Sequence, residues 1–262
     1  MKNLLWYLYQ PYKWLIFIPF FILTTTVLGA LVLILLPFLP PRRVSAICGA
    51  SWARVNGWAT PIRVRVSGRE NLNPDQSYVI VANHQSHYDI FLLYGWLGVD
   101  FKWVMKQELR KAPMIGVACD RLGHIFVDRS NRQAAIESLE TAKSRIRNGT
   151  SVFFFPEGTR SRSGELQSFK KGAFRMALDL GLPVLPVTLT GTRRIMPPDS
   201  LDIFPGTAHM IIHSPLAIAD FRDNEDINGL MNRTRQAIQR GLPTTKTAAA
   251  EPDHSRQKEG AP

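Results

Sequence analysis

The chain has 262 residues, enough for one large domain with appended segments, and 45% of them are hydrophobic. It carries 32 Lys or Arg against 21 Asp or Glu, a formal net charge of +11, which favours anionic partners: phospholipid head groups, nucleic acid or phosphorylated small molecules. The two cysteines, Cys48 and Cys119, are too few for a disulfide framework or a cysteine-based zinc site, and we expect both to be buried free thiols.

The first feature along the chain is the uncharged, apolar stretch Leu15–Leu39. A helix needs about 20 apolar residues to cross the hydrocarbon core of a bilayer. Aromatic residues precede the stretch, and Arg42 and Arg43 follow it, as is typical of a membrane segment. A transmembrane helix is favoured, although Pro19 and the Pro37–Pro41 cluster leave a monotopic hairpin as the alternative.

A cleavable signal peptide fits this stretch less well, because the apolar run is too long and prolines stand where small residues should. We therefore predict that residues 1–61 form a membrane segment followed by an interfacial helix. Basic residues are richer after the apolar stretch than before it, which places the main domain in the cytoplasm. We expect a bacterial-type inner membrane location.

From Ile62 onward, short β-branched runs alternate with helical patterns, which predicts a layered α/β domain over residues 62–242. Residues 243–262 are rich in Thr, Ala and Pro, so we expect a disordered tail. The predicted strands are Arg63–Val66, Tyr78–Ala82, Lys102–Met105, His124–Val127, Ser151–Phe155, Val184–Leu189 and Ala208–Ile212.

Three helices stand out after these strands: Asn131–Asn148, Phe169–Leu180 and one from about Asp226 to Arg240. Ser130, with Gln133 three residues later, has the spacing of a capping box for the first of them.

The segment "NHQSHYD" carries the first candidate chemistry, because His84 and Asp89 flank a predicted turn between a buried strand and a helix. A tight turn would bring Asp89 to one imidazole nitrogen and leave the other nitrogen free as a general base. No serine or cysteine nucleophile is paired with this base, so the substrate is expected to supply a hydroxyl. His87 has no partner at a comparable spacing and is interpreted as a surface residue at the helix entry.

The segment "FFFPEGTRS" follows another predicted strand, at the end where ligands of α/β sheets bind. Gly158 permits a close backbone approach, and Arg160 offers a planar donor pair suited to phosphate oxygens. Lys106, in "KQELRKAP", could reach an anionic oxygen, and Asp128 and Arg129 are expected to pair with each other. Residues 101–175 hold fifteen Lys or Arg against seven Asp or Glu, a net charge of +8, so an anion site is expected there.

The order of these segments resembles the glycerolipid acyltransferases: N-H-x4-D, K-x-E-L-x3-P, G-x2-F-x-D-R, F-P-E-G-T-R-S, and then "VLPV" at Val184–Val187. Within that family the sequence is most similar to the 1-acylglycerol-3-phosphate (lysophosphatidic acid) acyltransferases. The resemblance covers about residues 77–192.

The resemblance implies a mixed sheet flanked by helices and the transfer of a fatty acyl group from a thioester to the sn-2 hydroxyl of lysophosphatidic acid, giving phosphatidic acid. It implies that His84 is the base and Asp89 its orienting partner. It also implies that four consecutive residues build the acceptor site: Glu157, Gly158, Thr159 and Arg160, with Arg160 holding the phosphate. Lys106 would lie close to the reaction centre or to the phosphate.

The resemblance requires no cofactor and no metal. It implies a lysophospholipid acceptor, acyl-CoA or acyl carrier protein as the donor, and membrane lipids as partners. Another lysolipid or glycerol-3-phosphate is the alternative acceptor. A nucleic-acid partner is disfavoured, because the aromatic residues lie in the apolar segments rather than among the basic ones. A lipid-binding protein without catalysis would not need the histidine–aspartate pair, and a thioester hydrolase would need a G-x-S-x-G nucleophile that the sequence lacks.

Overall fold

The computed structural model describes residues 4–60, 62–221 and 227–243. The predicted disordered tail, apart from Pro243, lies outside the described residues, as does Asp226, the first residue of the last predicted helix.

Seven strands, all at the predicted positions, form one sheet. They are β1 (Ile62–Ser67), β2 (Val79–Ala82), β3 (Phe101–Lys106), β4 (Ile125–Val127), β5 (Ser151–Phe154), β6 (Val184–Thr190) and β7 (Gly206–Ile212). Their order across the sheet is β1-β7-β6-β2-β5-β3-β4. Neighbouring strands are parallel except β6 and β7, which are antiparallel. The predicted α/β class with a mixed sheet is confirmed.

Helices flank the sheet and precede it. They are α1 (Leu4–Tyr12), α2 (Ile18–Leu35), α3 (Pro41–Val44), α4 (Ala50–Trp58), α5 (Tyr88–Trp96), α6 (Ile115–Arg121), α7 (Arg132–Ala142), α8 (Gly172–Leu180), α9 (Thr192–Ile195) and α10 (Ile227–Gly241). Short π-helical turns join α1 to α2 and α3 to α4, so the N-terminal region consists of two long helical segments.

The sheet is covered on both faces, which explains the near-continuous apolar strands in its centre. Every residue of β2 is buried. Because side chains alternate along a strand, Ile80 and Ala82 join the cluster that includes α4 and α5, whereas Val79 and Val81 join the cluster of α8 and α10. Strand β2 therefore packs against both layers and carries the turn with His84 and Asp89 at its end.

The start of α7 differs from the prediction. The N-cap is Asn131, whose side-chain oxygen accepts a hydrogen bond from the backbone N–H of Ala134 at 3.1 Å, so the predicted capping box of Ser130 and Gln133 is wrong. Both Ser and Asn suit an N-cap, and the residue spacing does not choose between adjacent candidates. The α-helix ends at Ala142, earlier than predicted.

The N-terminal helical segment is attached to the α/β domain near both of its ends. Just before α2, the Lys13 ammonium lies 2.7 Å from a carboxylate oxygen of Asp202, and the two side chains are only 7% and 20% exposed. Near the other end of α2, Val32 is buried in one cluster with Ala118 of α6 and with Leu122, which follows α6. The helix therefore lies along the surface of the domain.

One face of this helical segment is exposed and apolar. In the described part of the chain, Tyr9–Leu35 is the helical stretch that is long and apolar enough, by length and composition, to cross a membrane. The exposed side chains include Leu15, Ile16, Ile22, Leu23, Val27 and Ile34. A contiguous apolar surface of this kind indicates a membrane or protein contact.

The sheet topology brings the predicted motif residues to one edge. Strands β2 to β6 run in the same direction, so their carboxyl ends share an edge, where α/β sheets bind their ligands. His84 follows β2, Lys106 ends β3, Arg129 follows β4 and Glu157 follows β5. Residues far apart in sequence therefore meet around a single site.

Candidate active site

His84 and Asp89 form a hydrogen-bonded pair at the carboxyl end of β2. Asp89 is the second residue of α5, and its Oδ2 lies 2.8 Å from Nδ1 of His84. The same oxygen accepts hydrogen bonds from the backbone N–H groups of Gln85 at 2.7 Å and Ser86 at 2.9 Å. The turn between the two residues folds back on itself, as expected from their spacing.

The carboxylate of Asp89 is fully buried, and three donors converge on its Oδ2. An ionised carboxylate only accepts hydrogen bonds, so the proton of the His84–Asp89 bond belongs to Nδ1 of the imidazole. This contact fixes the tautomer and leaves Nε2 with its lone pair. No atom in the described ranges bonds to Nε2, so this nitrogen is free to act as a base.

The imidazole ring is held in place by stacking. The ring of Phe155 lies parallel to it, with centroids 3.7 Å apart and an interplanar angle of 12°. The His84 side chain is 15% exposed. Phe155 therefore covers one face of the ring, while Asp89 holds the ring at Nδ1.

The loop after β5 is bonded to the backbone of His84 on both sides of the residue. Glu157 Oε1 accepts from the His84 N–H at 2.7 Å, and the Ser161 N–H donates to the His84 carbonyl at 2.8 Å. Glu157 Oε2 accepts from the backbone N–H of Gln167 at 2.9 Å. The two motifs recognised in the sequence therefore form one bonded unit.

Glu157 is a second buried carboxylate, with only 5% of the residue exposed. Burial raises the pKa of Glu157, while the hydrogen bonds from the Gln167 and His84 amides act in the opposite direction. Because both of its oxygens already accept backbone N–H bonds, Glu157 shapes the loop around His84.

Gly158 adopts a left-handed conformation, with φ of +76°, and basic side chains approach it closely. A Cβ atom here would lie 2.8 Å from the ammonium of Lys170, and the Gly158 carbonyl accepts a 2.6 Å hydrogen bond from Arg129. Any larger residue would strain the backbone and displace Lys170.

Arg160 lies next to the loop that follows α9. Its guanidinium donates to the carbonyl of Pro198, and its own carbonyl accepts from Gln167 Nε2 at 3.2 Å. Thr159 is exposed, and its hydroxyl donates to the Gln167 side chain at 3.3 Å. Within the described ranges, this carbonyl contact uses one of the guanidinium's five N–H donors, so Arg160 retains capacity for an anion.

Lys106 lies at the same sheet edge, at the end of β3. Strand β5 lies between β3 and β2, so at the usual strand spacing β3 is about 10 Å from β2. The exposed ammonium of Lys106 pairs with Glu108 at 2.9 Å. The predicted pairing of Asp128 with Arg129 is wrong, because Asp128 accepts from the N–H and hydroxyl of Ser130 and Arg129 bonds elsewhere.

The hydroxyl groups next to His84 are already engaged. Ser86 is fully buried and donates its hydroxyl proton to the carbonyl of Met196 at 2.6 Å. Ser161 donates to the carbonyl of Glu165 at 2.7 Å. Neither hydroxyl is directed at the imidazole, so within the described residues the pair lacks a protein nucleophile of its own.

An apolar cavity lies between the N-terminal helices and the α/β domain. It is lined by residues of α2, α4, α5 and α6 and their neighbours, among them Gly29, Cys48, Trp52, Tyr94, Met114 and Cys119. Both cysteines are free thiols, Cys48 fully buried and Cys119 partly exposed. Burial raises the pKa of both thiols, that of Cys119 to about 12, which makes them poor nucleophiles.

Sequence reasoning missed the residues that hold the site together. Phe155 could have been noticed as the last aromatic residue of "FFFPEG", but nothing in the sequence indicates that it stacks on His84. Ser161 and Gln167 act through backbone N–H groups, which any residue type provides. No residue pattern signals such contacts.

A histidine whose Nδ1 is bonded to a buried carboxylate and whose Nε2 is unbonded among the described residues is an arrangement that can serve as a general base. The sequence profile of the Acyltransferase family matches residues 63–190.

Individual relatives give the same result. The crystal structure of the 1-acyl-sn-glycerophosphate acyltransferase of Thermotoga maritima is 30% identical, covers 90% of this chain and 96% of that one, and superposes with a TM-score of 0.73. The chloroplastic 1-acyl-sn-glycerol-3-phosphate acyltransferase of Arabidopsis thaliana is 42% identical over 156 residues. A protein of Cocos nucifera named 1-acyl-sn-glycerol-3-phosphate acyltransferase is 35% identical over 207 residues. The chain belongs to the acyltransferase family.

The aligned part of the chain is 59% of its length for the Arabidopsis protein and 78% for the Cocos protein. The chain spans 44% of the length of the first and 66% of the second. The chain therefore spans between about half and two thirds of the length of these relatives.

Replacing Asp89 with Asn is expected to lower kcat by about 10²–10⁴-fold with little loss of folded protein. The amide oxygen of Asn can still accept the three hydrogen bonds that Oδ2 accepts, but the negative charge that stabilises the imidazolium is lost. Steady-state kinetics and circular dichroism measure the two effects, with Asp75→Asn at an exposed position as the matched control. A kcat close to that of the control would contradict the orienting role.

Proposed function

We propose that this protein transfers a fatty acyl group from a thioester to the sn-2 hydroxyl of lysophosphatidic acid, producing phosphatidic acid for phospholipid biosynthesis. The observation that carries the proposal is the His84–Asp89 pair, with Nε2 unbonded and with the neighbouring hydroxyls engaged elsewhere. The names of the similar proteins support the same activity.

In the proposed reaction, Nε2 of His84 removes the proton from the acceptor hydroxyl as its oxygen attacks the thioester carbonyl. A C–O bond forms, the C–S bond breaks, and the imidazolium returns the proton to the departing thiolate. Asp89 stabilises the imidazolium in between. Direct transfer of this kind needs no acyl-enzyme, which agrees with the engaged Ser86 and Ser161 hydroxyls.

We assign the acceptor's phosphate to Arg160, because its guanidinium lies at the site and suits a phosphate in both charge and shape. Gly158 and Thr159 form the rest of the acceptor wall, and Glu157 holds that wall against His84. Lys106 contributes charge from the far side of β5. Another lysolipid or glycerol-3-phosphate is the alternative acceptor for the same residues.

The donor is an acyl thioester, either acyl-CoA or acyl carrier protein, and the apolar cavity beside α2 is the proposed place for its chain. Both donors carry phosphate groups, which suits the cationic edge of the sheet. Trp52 and Tyr94 line the cavity, and Tyr94 lies on α5, the helix that begins beside His84.

We propose that the α/β domain over residues 62–242 is catalytic and that residues 1–61 bind the membrane. Because the N-terminal helical segment is attached to the domain near both ends, we favour insertion of its exposed face over a span across the bilayer, which the sequence alone had favoured. The proposed location remains the cytoplasmic face of a bacterial-type inner membrane, as the basic residues after the apolar stretch indicate.

Replacing His84 with Ala is expected to lower acyl transfer to lysophosphatidic acid by at least about 10²–10⁴-fold, because the general base is lost. Product formation is measured by mass spectrometry with the detergent-solubilised protein. His209→Ala, on β7 beyond β6, is the matched control and should retain its rate. Near-normal turnover by the His84 variant would exclude the proposed chemistry.

Replacing Arg160 with Ala is expected to raise KM for lysophosphatidic acid by about tenfold or more, the effect of losing a charge-assisted hydrogen bond. The variant is also assayed with 1-acylglycerol, which lacks the phosphate and should show a much smaller change. Arg65→Ala, at an exposed position on β1, is the control. Equal changes in KM for both acceptors would remove Arg160 from the phosphate site.

Replacing Leu23 and Val27 with Arg is expected to reduce vesicle binding at least about tenfold, because a charge within the bilayer costs roughly 2.5–3.5 kcal/mol. Both side chains are on the exposed apolar face of α2. Co-flotation with anionic vesicles measures binding, and Ile136→Arg, at an exposed position on α7, is the control. If protein bound from outside leaves a protease-protected fragment containing Tyr9–Leu35, the helix spans the bilayer and one-face insertion is wrong.

A further inference from the structure

We propose that His87 is a second binding residue for the acceptor's phosphate and works together with Arg160. This inference rests on the proposed function, and it gives a role to the histidine that the sequence had suggested was an ordinary surface residue. The ligand it would take is a phosphate monoester that carries the reacting hydroxyl.

His87 is placed where a substrate can reach it. It is the N-cap of α5 and is exposed, whereas its neighbours Ser86 and Tyr88 are fully buried. Among the described residues, no hydrogen bond to its imidazole is present; its backbone carbonyl accepts from Ile90. The ring is therefore held at the site by its backbone and is free to bind a ligand.

The same short loop connects His87 to Arg160. The hydroxyl of Ser86 donates to the carbonyl of Met196, and the guanidinium of Arg160 donates to the carbonyl of Pro198, two residues further along. His87 and Arg160 therefore lie beside one segment of backbone. A phosphate that bonds to Arg160 at this point is within reach of the neighbouring imidazole.

The charges around His87 favour an anion there. Partial burial lowers the pKa of His87, the positive charge of Arg160 lowers it further, and His84 adds to the effect; Asp89 acts in the opposite direction. Asp89 is engaged with His84 and two backbone amides. On the 196–204 loop, Asp199 pairs with Arg162 at 3.4 Å and Asp202 pairs with Lys13 at 2.7 Å.

Binding of a phosphate changes the protonation of His87. In the free protein its pKa is below the ordinary value, so at neutral pH the ring is uncharged. A phosphate dianion offsets the charge of Arg160 and raises the pKa of His87, so the ring gains a proton when the acceptor binds. The contribution of His87 to the affinity for the phosphate is then largest below the pKa of the free ring. It is lost as pH rises through the pKa that the ring has in the complex.

The test is the pH dependence of KM for lysophosphatidic acid in the wild type and His87→Gln. The ratio of KM in the variant to KM in the wild type should be about five- to tenfold near pH 6 and should decline towards a small constant above about pH 8. The ionisation of the phosphate itself is common to both proteins and cancels in this ratio. KM should change more than kcat, since the ring binds the phosphate and takes no part in proton transfer.

His87→Lys provides a rescue, because a permanent cation at this position should restore a low KM and remove the excess pH dependence. If the ring only supported the fold, Lys would not reverse the loss seen with Gln. The Gln variant would then alter KM by the same factor at every pH. A KM ratio independent of pH, or no rescue by Lys, would overturn the inference.

Two comparisons separate this inference from the proposed function. If Arg160→Ala raises KM for lysophosphatidic acid and His87→Gln does not, the phosphate site exists and His87 is not part of it. If the wild type has the same kcat/KM for 1-acylglycerol as for lysophosphatidic acid, the phosphate site itself is wrong, and the inference about His87 is wrong with it.

Discussion

The site depends on one oxygen atom, Oδ2 of Asp89, which is buried and accepts three hydrogen bonds. Two of them come from the backbone of the turn after β2, and the third comes from His84. The carboxylate therefore both folds the turn and orients the imidazole that the turn carries. Since a buried carboxylate without hydrogen bonds is costly, the turn and the His84–Asp89 hydrogen bond stabilise each other.

A second buried carboxylate, that of Glu157, performs the corresponding task for the loop after β5. It bonds to the N–H of His84, and Ser161 bonds to the carbonyl of the same residue, so the histidine is held from two strands that pair in the middle of the sheet. The two most sequence-distinctive motifs are thus one structural unit. Arg129 and Arg160 bond to carbonyl groups of the loops at the same edge, and their charges are the ones proposed to attract a phosphate.

Much of this arrangement could be predicted from the sequence, because it depends on residue type and spacing. The seven strands follow from β-branched runs, and the His84–Asp89 contact follows from a four-residue separation across a turn. The sequence could not predict contacts made by backbone groups, such as that of Ser161 with His84, nor the choice of Asn131 over Ser130 as N-cap. It also could not show that the apolar N-terminal helix lies along the domain, because length and hydropathy are the same for a helix that spans and for one that is inserted on one face.

The central claim is that the acceptor's own hydroxyl receives the acyl group directly. Measuring the intact mass of the purified protein after incubation with acyl-CoA, or with acyl carrier protein carrying the same chain, tests this claim without an acceptor present. If the acceptor's hydroxyl attacks the thioester directly, the protein stays unmodified and thiol is not released rapidly until lysophosphatidic acid is added. Phosphatidic acid then forms. Direct transfer would be contradicted if the protein gained the mass of one acyl group and then passed that group to the acceptor.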